Sequence, residues 1–208
     1  QKKQIRFSVN EDLIGNIWDD RPALSCKPVM ELSEKWAGRS RADKIREIRS
    51  KLKEKGADLF ILTSLDDIAW LLNIRGDDIL YNPVVLSYVV LTMDQLYLFI
   101  NEDVIDGKAY PYLDNTDDTT TREYLEGIGV TIRPYDKVYD MVEGLRNEKV
   151  LLEKSRVNYA IYRLLDSSNK IIDKMNPTAL MKCVKNDVEI ENEKKAHIKD
   201  GVAVTKFI

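Results

Sequence analysis

From Ser40 onward, apolar stretches of strand length alternate with segments of helical spacing, and this alternation restricts the fold more than any other feature of the sequence. It opens with Ser40-Arg41-Ala42-Asp43, a capping-box-like start, followed by Ile45, Ile48 and Leu52 at helical spacing and by Gly56 as the expected C-cap. Asp58-Leu59-Phe60-Ile61-Leu62 reads as a short buried strand, and Ser64-Leu65-Asp66-Asp67 as the capped start of a helix carrying Ile68, Leu71 and Leu72. Two strands follow at 84–92 and 95–100, joined in hairpin fashion at Met93-Asp94. The polar stretch 111–121 leads into a helix at 121–126 that Gly127 and Gly129 end. A strand at 130–133, a helix carrying Val138, Met141, Val142 and Leu145, a strand at 150–152, a helix at 159–165 and a strand at 170–172 complete the series. The pattern predicts an α/β fold with a mixed β-sheet flanked by helices.

The flanks read differently. Residues 1–38 hold a short helical patch, 11–18, then Arg21-Pro22 and Lys27-Pro28, where proline drives the preceding residue toward extended geometry. This segment is expected to be a connector from an upstream domain, docked through Trp18 and Trp36. At the other end, Asn186-Asp187-Val188-Glu189 is a second capping-box-like start, and the pattern stays helical to Ile208 with no terminator. Ile190, His197, Gly201, Val204 and Ile208 form one stripe, and Ala196, Ala203 and Phe207 another. Two stripes need cover on two sides. With Gln1 rather than Met at the start, the expectation is a piece of a longer protein.

Composition removes several function classes. Thirty-two Lys and Arg against 35 Asp and Glu give a net charge of -3 and no overall basic field for nucleic acid. Apolar runs such as Pro83-Val84-Val85-Leu86 fall far short of the roughly 20 residues that span a bilayer, so no membrane role is expected. Cys26 and Cys183 form no C-x-x-C pair and read as reduced thiols of a cytoplasmic protein, with one long-range disulfide as the alternative.

His197 is the sole imidazole of the sequence, so with no second His and no paired Cys a typical zinc site cannot be assembled, and a Ser-His-Asp triad would have only this His to use. Its plain reading is a histidine on a helix packing face. The acid pairs Asp66-Asp67, Asp77-Asp78 and Asp117-Asp118 suit helix capping and loop solvation; an EF-hand loop begun at Asp114 fails, because Thr119 and Leu125 stand where Gly and Glu belong. Gly127-Ile128-Gly129 lacks the rest of a phosphate-loop fingerprint. Arg75-Gly76-Asp77 is the integrin-adhesion tripeptide, but after an apolar helix it fits a loop that directs Arg75 and the aspartates toward a neighbouring domain better than an adhesive role.

The stretch from Ser64 to Leu91, SLDDIAWLLNIRGDDILYNPVVLSYVVL, resembles the middle domain of the three-domain Xaa-Pro aminopeptidases, where a helix of this type leads through an Asn-Pro loop into a strand. Trp18-Asp19-Asp20-Arg21-Pro22, Cys26-Lys27-Pro28, Val184-Lys185-Asn186 and Lys195-Ala196-His197-Ile198-Lys199-Asp200 agree with it. The resemblance implies a connector at 1–38, a creatinase N-terminal-like middle domain at 39–176, and the start of a pita-bread catalytic domain at 177–208. It also implies a parent metallopeptidase, cytoplasmic and homo-oligomeric, that removes the N-terminal residue preceding proline from peptides with two divalent ions, manganese in many members. The ion ligands would lie beyond Ile208, leaving none in this chain. His197 matches a family position beside the metal site that contacts substrate or transition state, while Trp70, Asn73, Arg75 and Asp77 match the middle-domain signature and are expected to be architectural. Two rivals share the architecture: a metal-free creatine-hydrolysing relative and a binding protein that has lost its metals.

Overall fold

The computed structural model describes residues 11–23, 27–105 and 120–208. The described strands are β1 (Met30–Glu31), β2 (Leu59–Leu62), β3 (Ile74–Arg75), β4 (Ser87–Thr92), β5 (Leu96–Ile100), β6 (Val130–Pro134), β7 (Lys149–Leu152) and β8 (Lys170–Asp173). The helices are α1 (Glu34–Ala37), α2 (Arg41–Lys55), α3 (Leu65–Leu72), α4 (Thr121–Gly127), α5 (Lys137–Gly144), α6 (Tyr159–Leu164), α7 (Pro177–Cys183) and α8 (Asp187–Phe207).

Six strands form one mixed sheet in the order β6-β5-β4-β2-β7-β8. β2 runs antiparallel to β4, with Phe60 opposite Leu91, and parallel to β7, with Phe60 opposite Leu151. β4 and β5 make the expected hairpin, closed by Thr92, whose Oγ1 accepts from the backbone N–H groups of Asp94 and Gln95. Because side chains alternate across a strand, β2 sends Phe60 and Leu62 to one face and Leu59 and Ile61 to the other. The first face packs under α2, α3 and α4 through Ile45, Ile48, Leu52, Ile68, Leu71 and Leu125. The second packs under α5 and α6 through Val138, Val142 and Ile161. Each such buried side chain contributes about 1.5–3 kcal/mol relative to exposure, and β2, covered on both faces, is the spine of the domain.

Several expectations are corrected. Residues 11–18 form turns and not a helix: the Asp12 carboxylate accepts from Gly15 N–H, and Asn16 N–H donates to Asp12 O at 3.1 Å. Ser64 does not cap α3 with its side chain; its hydroxyl takes an N–H from Asn176. Ser40 supplies half a capping box, accepting from Asp43 N–H, whereas Asn186 and Glu189 make a full one at α8. The fourth strand starts at Ser87 and not at residue 84. Inside the stretch read as connector, Val29 is fully buried, β1 pairs antiparallel with β3, and α1 follows; α7, begun by Pro177 at its first turn, went unread. The acids Asp114, Asp117 and Asp118, together with Cys26, lie outside the described residues, while Cys183 is an exposed free thiol. Among the described residues no helix is long and apolar enough to cross a membrane.

Candidate functional site

The signature Trp70 to Asp78 folds around the C-terminal end of α3, whose last carbonyls have no partner within the helix and carry the negative end of its dipole. Asn73 ends the helix in the left-handed region at φ 50°. Three cations then converge. Lys44 donates to Trp70 O at 2.8 Å and Asn73 Oδ1 at 2.6 Å, with its ammonium 4.4 Å from the Trp70 ring centre. Arg41 donates to Leu72 O and Asn73 O, pairs with Glu31 at 3.1 Å and lies on the Tyr124 ring. Arg75 donates to Ala69 O at 2.9 Å and Ile74 O at 2.8 Å.

Lys44 and Arg41 are each 1% exposed. Burial, assisted by the charges of Arg75, Arg39 and Arg41 and opposed by Glu189, pushes the Lys44 amine down to about 8. Burial likewise lowers the pKa of Arg41 and of Arg75. The loop beyond is equally constrained. Asp77 pairs with Lys27 at 2.8 Å, Asp78 accepts from Leu86 N–H, and a Cβ on Gly76 would lie 2.6 Å from Val85 Cγ2. Arg75 therefore turns its Nη1 inward onto Ala69 O and Ile74 O, and the tripeptide is part of a packed turn. Arg41 and Lys44 escaped the sequence reading, although they share the stripe of Ile45, Ile48 and Leu52.

Two contacts tie the C-terminal helices to this body. On α7, Lys182 bonds Asp66 and lies 2.8 Å from the buried Asp67; burial opposes its charge, but the two carboxylates outweigh that and raise its pKa. At the start of α8, Asn186 caps the helix through Glu189 N–H and donates its amide to Ala37 O at 2.9 Å. One and two-thirds turns later, Asn192 donates to Trp36 O at 3.2 Å. Glu189 acts electrostatically on both Lys44 and Arg75.

His197 lies further along α8, where no residue of the helix is buried. Its imidazole is 76% exposed, with Nε2 3.8 Å from Glu193 Oε1, and the shallow grooves beside it are lined by α8 alone, including Ile190, Ile198, Gly201 and Val202. The fold thus presents His197 outward and brings no other candidate site residue to it. Among the described residues no three His, Cys, Asp or Glu side chains converge to hold a metal ion. The larger clefts lie elsewhere: about 540 Å³ between α2 and α7, edged by Lys51, Lys55 and Lys174, and about 520 Å³ on the outer sheet face over Tyr97 and Phe99.

Comparison with known proteins agrees with this architecture. The family model described as Creatinase/Prolidase N-terminal domain matches residues 20–189. Xaa-Pro aminopeptidase 1 of Dictyostelium discoideum is 34% identical over 91% of this chain and 28% of its own length, and Aminopeptidase P1 of Arabidopsis thaliana is 29% identical over 100% and 34%. The X-prolyl aminopeptidase of Caenorhabditis elegans, described as a cytosolic enzyme with a di-nuclear active site, superimposes with a TM-score of 0.83 at 30% identity, covering 97% of this chain and 32% of that one. A Bacillus anthracis Xaa-Pro dipeptidase, 15% identical with a TM-score of 0.54, shares the fold. The chain spans about a third of the length of the curated relatives it matches. With most of its length matched by the family model and its sheet, helices and signature turn arranged as described, the chain belongs to the creatinase/prolidase N-terminal domain family.

Proposed function

We propose that this chain is the N-terminal and middle-domain portion of a metal-dependent aminopeptidase that removes the N-terminal residue preceding proline. Residues 1–38 connect it to an upstream domain, 39–176 form the middle domain, and 177–208 begin a pita-bread catalytic domain. The observation that supports this best is the likeness, over 97% of the chain, to an X-prolyl aminopeptidase with a di-nuclear site. The parent enzyme acts on peptides with proline in second position, in the cytoplasm, as a homo-oligomer, with two divalent ions, manganese being the expected metal. These ions are held by sequence outside this chain; when bound they supply Lewis-acid chemistry and an activated water.

What this chain contributes is scaffold and one side chain. The imidazole of His197, borne outward on α8, donates a hydrogen bond to the substrate carbonyl oxygen as negative charge develops there. Such a donor in a preorganised site is worth about 3–4 kcal/mol, two to three orders of magnitude in rate. The test is kcat of the full-length protein on an Xaa-Pro peptide, with metal content and melting temperature measured alongside. His197→Ala is expected to keep both ions and the fold while lowering kcat at least tenfold, or about 1.4 kcal/mol. Unchanged turnover with a lowered melting temperature would remove the role given to His197, and a full-length protein inactive on every Xaa-Pro peptide would remove the aminopeptidase reading.

A further inference from the structure

We propose that the end of α1, Trp36 to Gly38, is a seat that sets the direction of α8 and thereby positions His197; only the last step rests on the functional reading above. The carbonyls of Trp36 and Ala37, at the end of a four-residue helix, are the acceptors. They take the side-chain amides of Asn192 and Asn186, and two attachment points spaced along one helix fix its axis where a single point would leave it free to pivot. Gly38 shows how close the two elements come. It sits at φ 65°, and a Cβ there would lie 2.2 Å from Asn186 Oδ1 and 2.7 Å from Val188 Cβ, so a side chain is excluded by both backbone conformation and space. Glu189, between the two asparagines, lies near enough to Lys44 and Arg75 for its negative charge to favour the charged form of both.

Within this chain every residue of α8 beyond Asn192 is exposed, so Asn186 and Asn192 set the direction in which the helix leaves the body described here. His197 is five residues further on, roughly 7.5 Å along the axis. A tilt of about 10° at the seat would therefore move the imidazole by roughly 1 Å, a displacement that can cost about a hundredfold in rate at a site that depends on orientation. The asparagines are positioning residues: they act through the helix, not on substrate.

Their chemistry gives a clean variant. Asn186→Asp keeps the oxygen that caps Glu189 N–H but loses the donor and sets a carboxylate against Ala37 O; Asn192→Asp does the same toward Trp36 O. Helix content should survive while the seat is lost. The experiment is a spin-label distance measurement on this chain, between Lys53→Cys on α2 and Lys199→Cys on α8, with Cys26 and Cys183 changed to Ser. The parent arrangement should give one narrow distribution, the Asn186→Asp/Asn192→Asp pair a shifted or broadened one, and Asn192→Gln, which retains an amide donor, an intermediate or unchanged one. A distribution indifferent to the double Asp variant, with helicity intact, overturns the proposal. In the full-length protein the double variant should lower kcat at least tenfold with KM changed less than threefold and metal content unchanged. Loss of the narrow distribution without loss of kcat, in an enzyme where His197→Ala does lower kcat, also overturns it. If His197→Ala has no effect, the functional reading has failed on its own account, and the distance distributions still decide whether the seat directs α8.

Discussion

Lys44→Met should produce a stability deficit that appears only in alkali. In the native protein the amine is buried on Trp70 with a pKa near 8, against an ordinary value of 10.5. The folded state thus disfavours the charged form by about 2.5 pKa units, or roughly 3 kcal/mol at neutral pH. As the pH rises from 8 to 10.5 that penalty disappears, so Lys44 contributes stability above pH 10.5 that is lost on lowering the pH through 8. Methionine fills a similar volume but cannot donate to Trp70 O or Asn73 Oδ1, and two abandoned buried acceptors cost about 1–3 kcal/mol together after relaxation. At pH 7 the lost bonds and the removed penalty nearly cancel, and the variant should match the parent within about 1 kcal/mol. At pH 10.5, with the penalty gone, it should lag by the full cost of the lost bonds, about 1–3 kcal/mol. Urea unfolding of both proteins at half-unit pH steps gives the difference directly, and because Tyr139, whose pKa burial raises to about 12, titrates in both, its contribution drops out. A deficit that is the same at pH 7 and pH 10.5 would refute the reasoning.

This chain by itself should hydrolyse no Xaa-Pro peptide with or without manganese, since its described residues offer no converging ligand set; metal-dependent turnover by a purified sample would contradict this. Gly76→Ala should destabilise by about 1–3 kcal/mol in thermal or denaturant unfolding, because the new methyl meets Val85 in a packed turn. Asp77→Glu should leave cell attachment unchanged, whereas Arg75→Ala should lower the melting temperature by removing the hydrogen bonds to Ala69 O in α3 and Ile74 O in β3; attachment abolished by Asp77→Glu would restore an adhesive reading.

Much of the sheet was legible because its strands are short apolar runs between turn residues, and burial on both faces, as in Leu59 to Leu62, leaves no other way to read them. The N-cap at Asn186 was legible for a related reason: a side-chain oxygen three residues before a glutamate has a local meaning. β1 and β3 were not, since two residues carry no period and their pairing is created by the tertiary fold. Lys44 and Arg41 went unnoticed because charge predicts exposure, and it is the carbonyls at the end of α3, some 26 to 32 residues further along the chain, together with Glu31 and the Asn73 side chain, that make their burial possible. The sequence singled out His197, yet not its surroundings: the asparagines that tie down its helix bond to backbone carbonyls, which leave no trace in residue identity.

The position of β2 has a consequence for the order in which the protein folds. The β4–β5 hairpin joins neighbours in sequence and can close in microseconds, whereas the pairing of Leu59 with Val150 on the other flank of β2 closes most of the domain into one loop. The two halves of the sheet therefore differ in contact order. During synthesis, β2, β4 and β5 can assemble as an antiparallel unit with α2 and α3 while the open edge of β2, four apolar residues long, waits for β7 to emerge. That waiting edge is where a nascent chain is most exposed to mispairing.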